Sequence, residues 1–157
     1  MPAVIVLDSF PLSSVAKTPG SRALPSMLDL CRNWITRRTL VGHSVVVPAI
    51  CYYETLRELE RQGAVSQIAR PRRFCHAEPG RYLSLADADL DLAAQLWARS
   101  RNAGMPTAAD HALDCDVILA AQALNMGIPA TDFVVATTKP GHLSRFVPCK
   151  LWSEIEP

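Results

Sequence analysis

Ala3-Val4-Ile5-Val6-Leu7-Asp8 is an unbroken apolar run, largely β-branched, that stops at a carboxylate. A strand with one wet face alternates polar and apolar residues, so a run without alternation is covered on both faces and belongs near the centre of a parallel sheet. Asp8 then stands at the carboxyl end of that strand. Open parallel sheets collect their functional groups there.

Outward from this run, residues 45–47, 81–85 and 133–136 read as further strands and residues 146–151 as an edge strand. Helices are expected between them. Over residues 22–38 the apolar positions Leu24, Met27, Leu28, Cys31, Trp34 and Ile35 recur at three and four residues. A second helix starts at Pro48, which the first turn tolerates, and runs to Gln62 before Gly63. A third covers residues 87–103, with Asp87, Asp89 and Asp91 at its positive end and Arg99 and Arg101 at its negative end. A fourth covers residues 113–125 and closes at Gly127. Residues 9–21, rich in Ser, Pro, Thr and Gly, read as a long loop with at most a turn of helix, and Arg70-Pro71-Arg72-Arg73 as an irregular basic segment. Strands alternating with helices give an α/β class, a central parallel sheet between two helical layers.

Composition narrows the function. The 157 residues are 49% hydrophobic and 20% charged, the profile of one soluble domain spanning 1–157, and the net charge of +1 gives no overall field for nucleic acid or membrane. No signal peptide is expected, and the longest later apolar run, residues 45–53, is far short of the roughly 20 residues of a membrane span. Five cysteines without a C-x-x-C pair argue against a disulfide framework or a structural zinc site and fit a reducing cytoplasm. Cys75-His76 lacks further ligands at metal-binding spacing.

Beside Asp8, candidate chemistry gathers on Thr137, Thr138 and Lys139, which follow the strand ending at Ala136, and on two helical carboxylates. Glu54 borders an apolar face containing Ile50 and Cys51, and Asp116 continues into Leu119, Ala120 and Ala123. An unpaired carboxylate in such a place is costly, and several together repel; a divalent cation resolves both problems and suits phosphodiester hydrolysis.

Val4-Ile5-Val6-Leu7-Asp8-Ser9, Val47-Pro48-Ala49-Ile50-Cys51-Tyr52-Tyr53-Glu54-Thr55-Leu56-Arg57, Asp116-Val117-Ile118-Leu119-Ala120-Ala121-Gln122-Ala123 and Val135-Ala136-Thr137-Thr138 follow one another in the order of a PIN domain. The chain resembles that family over nearly its whole length, and in particular the VapC-type toxin ribonucleases. The resemblance implies a three-layer α/β/α fold and a Mg²⁺ or Mn²⁺ centre cleaving single-stranded RNA, with Asp8, Glu54 and Asp116 in the metal-site positions and Thr137 bonding beside them. It also implies a homodimer and inhibition by a small antitoxin protein. Lys139 departs from the pattern, because many members carry Asp or Asn there; a lysine removes negative charge and can contact a phosphate instead. Asp114 is a partial substitute for the missing acid, although residues two apart on a helix face different ways.

Each functional reading has a plainer counterpart. Asp8 can cap the turn that follows it, Asp114 can cap its helix, and Glu54 can pair with Arg57. Asp87, Asp89 and Asp91 are explained by the helix start, and the arginines at 32, 37, 38, 70, 72 and 73 by solvation as readily as by phosphate contacts. Tyr52 and Tyr53 read as core or dimer-interface residues, Trp34 and Trp97 as core, and His142 as a loop hydrogen bonder. A PIN module that binds RNA or protein without cutting is the alternative that Lys139 favours. A phosphatase would want a second Asp where Phe10 stands.

Overall fold

A computed structural model of the chain describes residues 2–18, 24–109 and 114–156. Its elements run β1 (Val4–Leu7), α1 (Ser9–Ala16), α2 (Met27–Leu40), β2 (Ser44–Pro48), α3 (Ala49–Arg61), α4 (Ala69–His76), β3 (Tyr82–Leu83), α5 (Asp87–Asn102), α6 (Cys115–Leu124), β4 (Phe133–Thr137), α7 (Pro140–Leu143) and β5 (Cys149–Leu151). The sheet order is β3-β2-β1-β4-β5, every pair parallel, with β1 at the centre. The fully buried Ile5, Val6 and Leu7 confirm the two-sided burial expected of that run.

Alternate side chains of the strands divide the core. Val6, Val46, Phe133 and Val135 pack with the start of α3, α5 and α6. Ile5, Leu7, Val45, Val134 and Ala136 pack on the other face with Leu12 of α1, Trp34 and Ile35 of α2 and Cys75 of α4. The result is an α/β/α sandwich. The chain passes from β1 outward through β2 and β3, then returns to β4 on the other side of β1. The strand order therefore reverses at the carboxyl ends of β1 and β4, where parallel sheets open a crevice.

Several expectations need correction. Residues 9–16 form a helix and not a loop, because Asp8 caps it and Pro11 falls in the first turn, where its missing N–H is not needed. The same reason makes residues 69–76, with Pro71, a helix. Helix α2 starts at Met27, later than expected, since Ser26 and Asp29 form a reciprocal cap just after Pro25; Arg22 and Ala23 lie outside the described residues. Leu113, expected to open α6, also lies outside them. The third strand shrinks to two residues and the edge strand to three. Tyr53 is half exposed, not core.

Helix α3 has no side-chain cap of its own. Buried Gln122 of α6 supplies one, its Oε1 accepting from Ile50 N at 3.1 Å while its Nε2 donates to Leu83 O at 2.9 Å. One amide thus ties α6, the start of α3 and the end of β3 together. Gly63 ends α3 at a φ of 66°, a conformation that side-chain-bearing residues rarely take.

Candidate metal centre

Asp8 is fixed from two sides. One carboxylate oxygen accepts from Ser9 N at 2.6 Å, capping α1, and the other accepts from the Thr137 hydroxyl at 2.6 Å. Thr137 is fully buried, and its oxygen accepts in turn from Lys139 N at 3.0 Å. With Lys139 N–H filling the acceptor side, the hydroxyl proton points at Asp8. This support comes from the Lys139 backbone, while its side chain is exposed. Capping, the plainer reading of Asp8, is therefore real and leaves its outer face available.

Glu54 comes to the same place from α3. Its Oε2 accepts from the Ser9 hydroxyl at 2.5 Å and its Oε1 meets Arg57 Nη2 at 3.3 Å, so Ser9 links the two carboxylates through its amide and its hydroxyl. Cys51, one turn earlier on α3 and fully buried, sets its sulfur 4.0 Å from Asp8 Oδ1. One ligand atom each from Asp8, Cys51 and Glu54 lie within 4.8 Å of one another.

Asp116, in the first turn of α6, stands outside that close cluster but near enough to sense it. Burial raises its carboxyl above the ordinary range and the charge of Asp8 raises it further, while His142 pulls it down. The imidazole Nδ1 of His142 lies 3.3 Å from Asp116 Oδ2. The Asp8 carboxyl is likewise raised, first by burial and then by Glu54, against the hydrogen bonds from Thr137 and Ser9. Both aspartates are short of positive charge. Asp114 caps α6 by accepting from Val117 N at 3.4 Å and takes the Thr107 hydroxyl, so it is occupied away from this cluster.

A divalent cation fits this donor set. The carboxylates are oxygen donors gathered at a sheet crevice, burial and mutual repulsion hold two of them above their usual proton affinity, and a bound cation would relieve both. A shallow cleft of about 350 Å³, lined by Ser9, Phe10, Glu54 and Thr55, opens beside it.

Ser9, Cys51 and His142 were not among the expected site residues. Ser9 follows a strand-end aspartate and Cys51 precedes Glu54 by three residues, both readable signals; the His142 contact joins residues 26 apart and left none. Other candidates dissolve. Cys75 is buried in the core and His76 packs its ring on Tyr82 at 4.9 Å. Asp89 accepts from Ala86 N and Asn125 Nδ2, both at 2.8 Å, as a structural residue. Arg32 binds Asp29 and the Lys17 carbonyl, and Arg70 the Ala16 carbonyl, so these two guanidinium groups serve the fold.

No protein-family model matches the sequence, and no curated protein matches it. Solved structures do. The chain is similar to FitAcB from Neisseria gonorrhoeae, at 19% identity and a TM-score of 0.59 over 96% of this chain and 99% of that one. It is also similar to FitAB bound to the IR36 DNA fragment, at 19% identity and a TM-score of 0.62 over 98% of each chain. The fold is PIN-like. Among the described residues no helix is long and apolar enough to cross a membrane.

Proposed function

We propose that this chain, acting as one domain, is a metal-dependent endoribonuclease that hydrolyses single-stranded RNA and serves as the toxin of a type II toxin–antitoxin pair. The observation that carries it is the meeting of Asp8 and Glu54 at the strand-order reversal of a PIN-like sheet, with Asp116 close enough for the charge of Asp8 to raise its carboxyl further. Asp8, Glu54 and Asp116 would hold Mg²⁺ or Mn²⁺. When bound, such an ion makes water nucleophilic at neutral pH and offsets charge on the phosphate.

The chain's own groups divide the remaining work. Ser9 and Thr137 hold Asp8 in one rotamer, so its outer face is presented without reorganisation. Glu54 Oε2 is committed to Ser9, which leaves Oε1, under a longer contact from Arg57, to take a proton from the attacking water. The Lys139 ammonium, exposed just past β4, would meet a phosphate oxygen. Direct attack by water, without a covalent intermediate, gives a 5′-phosphate and a 3′-hydroxyl.

The partner reading draws on the same likenesses. FitAB is seen bound to a DNA fragment, whereas this chain has a net charge of only +1, in keeping with a small antitoxin partner that supplies the DNA contact. We place the chain in the cytoplasm as a homodimer; its five free cysteines suit a reducing compartment. Lys139 in place of an acid supports a second reading, an RNA- or protein-binding module without cleavage.

Purified chain with Mn²⁺ and labelled single-stranded RNA separates the two. Cleavage that disappears in Asp8→Asn is expected. RNA retention without cleavage would instead establish the binding module.

A further inference from the structure

The centre contains a donor that a magnesium site does not need. Cys51 Sγ is fully buried on the inner side of the carboxylates, 4.0 Å from Asp8 Oδ1. Magnesium takes oxygen ligands and keeps its waters, whereas thiolate sulfur selects zinc and similar soft or borderline ions. A tetrahedral ion with a carboxylate oxygen at about 2.1 Å and a thiolate at about 2.3 Å holds these donors about 3.6 Å apart. The Asp8–Cys51 separation already comes within a few tenths of an ångström of that distance. Glu54, whose ligand atom lies within 4.8 Å of both, closes the set by rotation of its side chain.

We propose that Cys51 makes this a mixed carboxylate–thiolate centre, which binds Zn²⁺ or another thiophilic divalent ion through Asp8, Glu54 and the Cys51 sulfur in competition with Mg²⁺ or Mn²⁺. This rests on the reading of Asp8 and Glu54 as metal ligands. On binding, the thiol S–H bond breaks, a metal–sulfur bond forms, and the proton leaves to water. Because Zn²⁺ then occupies the Asp8 and Glu54 positions that Mg²⁺ or Mn²⁺ would take, it inhibits cleavage. Two other cysteines lie nearby. Cys149 donates to the Pro140 carbonyl at 3.3 Å, while Cys115, buried at the start of α6, is the rival sulfur ligand.

Cobalt(II) titration of the metal-free full chain tests this, because a cobalt–thiolate bond gives a near-ultraviolet charge-transfer band that an oxygen site lacks. One equivalent is expected to raise the band, Cys51→Ser to abolish it, and Cys115→Ser and Cys149→Ser to keep it. Zn²⁺ affinity is expected to fall in Cys51→Ser by at least the about 10- to 100-fold that loss of an outer-shell partner costs, with Mn²⁺ binding, followed by electron paramagnetic resonance, retained. Mn²⁺ bound but no cobalt band overturns this inference and leaves the metal centre standing. A band lost in Cys115→Ser and kept in Cys51→Ser also overturns it. Failure to bind either ion removes both readings. If Cys51→Ser does not fold, X-ray absorption of the zinc-loaded Cys115→Ser chain decides: a sulfur neighbour near about 2.3 Å sustains the proposal, and a shell of oxygen and nitrogen alone overturns it.

Discussion

Asp8 and Asp116 are both aspartates whose burial raises the carboxyl above its ordinary value, yet the fold holds them in opposite ways. Asp8 is locked by a backbone amide and a fully buried hydroxyl, each at 2.6 Å, at the end of the central strand. Asp116 is about one-third exposed on a helix, with one half-exposed imidazole 3.3 Å away. The first half of the centre is rigid before anything binds. The second is less constrained, as would suit the proposed role of Asp116 in meeting a cation.

The largest expected effect comes from loosening the rigid half without touching a carboxylate. Thr137→Val keeps the shape, removes the hydroxyl that orients Asp8, and strips Lys139 N of its acceptor. Leaving buried groups unpaired costs about 1–3 kcal/mol, and losing an outer partner of a metal ligand costs about 10- to 100-fold in affinity or activity. Thermal unfolding and Mn²⁺ titration check the two figures separately. Thr137→Ser restores the hydroxyl and is expected to recover most of the metal affinity. Equal metal binding in wild type and Thr137→Val would show that Asp8 needs no such support.

Gln122→Ala probes support at one remove. It deprives Ile50 N, at the uncapped start of α3, and the Leu83 carbonyl of a shared partner, and is expected to cost about 1–3 kcal/mol in denaturant unfolding. Since α3 carries both Glu54 and Cys51, the variant's residual folded protein is expected to bind metal more weakly. An unchanged midpoint would mean that water replaces the amide.

These supports also mark where the sequence stopped being readable. The central strand was legible because a run without alternation has one physical explanation, and α3 and α6 because their apolar spacing and glycine stops agree. Helices α1 and α4 were not, since Ser- and Pro-rich or Arg-rich composition masks a helix whose proline sits harmlessly in the first turn. In the site, Asp8 was singled out by its place at the carboxyl end of a strand and Glu54 by an apolar helix face where an unpaired carboxylate is costly, and the structure brings them together. The Cys51 sulfur was readable from its place one turn before Glu54, whereas the His142 ring depends on how distant segments pack, which no local spacing encodes. Thr137, expected to bond beside the centre, donates to Asp8.

The two aspartates also differ in what pH does to the metal-free protein. Each binds its proton more tightly folded than unfolded, so between the ordinary value of 3.8 and its raised value the folded chain carries more protons. Stability in chelator is therefore expected to fall as pH rises through that window, and to be fully present below it. Asp8→Asn and Asp116→Asn are each expected to flatten part of the slope, and Mn²⁺ to restore stability at the upper end. A metal-free midpoint that climbs with pH across the window would show that neither aspartate is raised.

The smallest expected effect belongs to His142. Its ring is 56% exposed and its contact with Asp116 is long; a surface pair of this kind is worth at most about 1 kcal/mol, or about fivefold in a binding constant. His142→Ala is thus expected to leave folding intact and change Mn²⁺ affinity by less than that factor. The direction is informative, because the imidazole can either take the place of a cation at Asp116 or orient its carboxylate. Tighter Mn²⁺ binding in His142→Ala would show that the ring competes with the cation for Asp116. A loss much larger than fivefold at neutral pH would instead make His142 part of the ligand set.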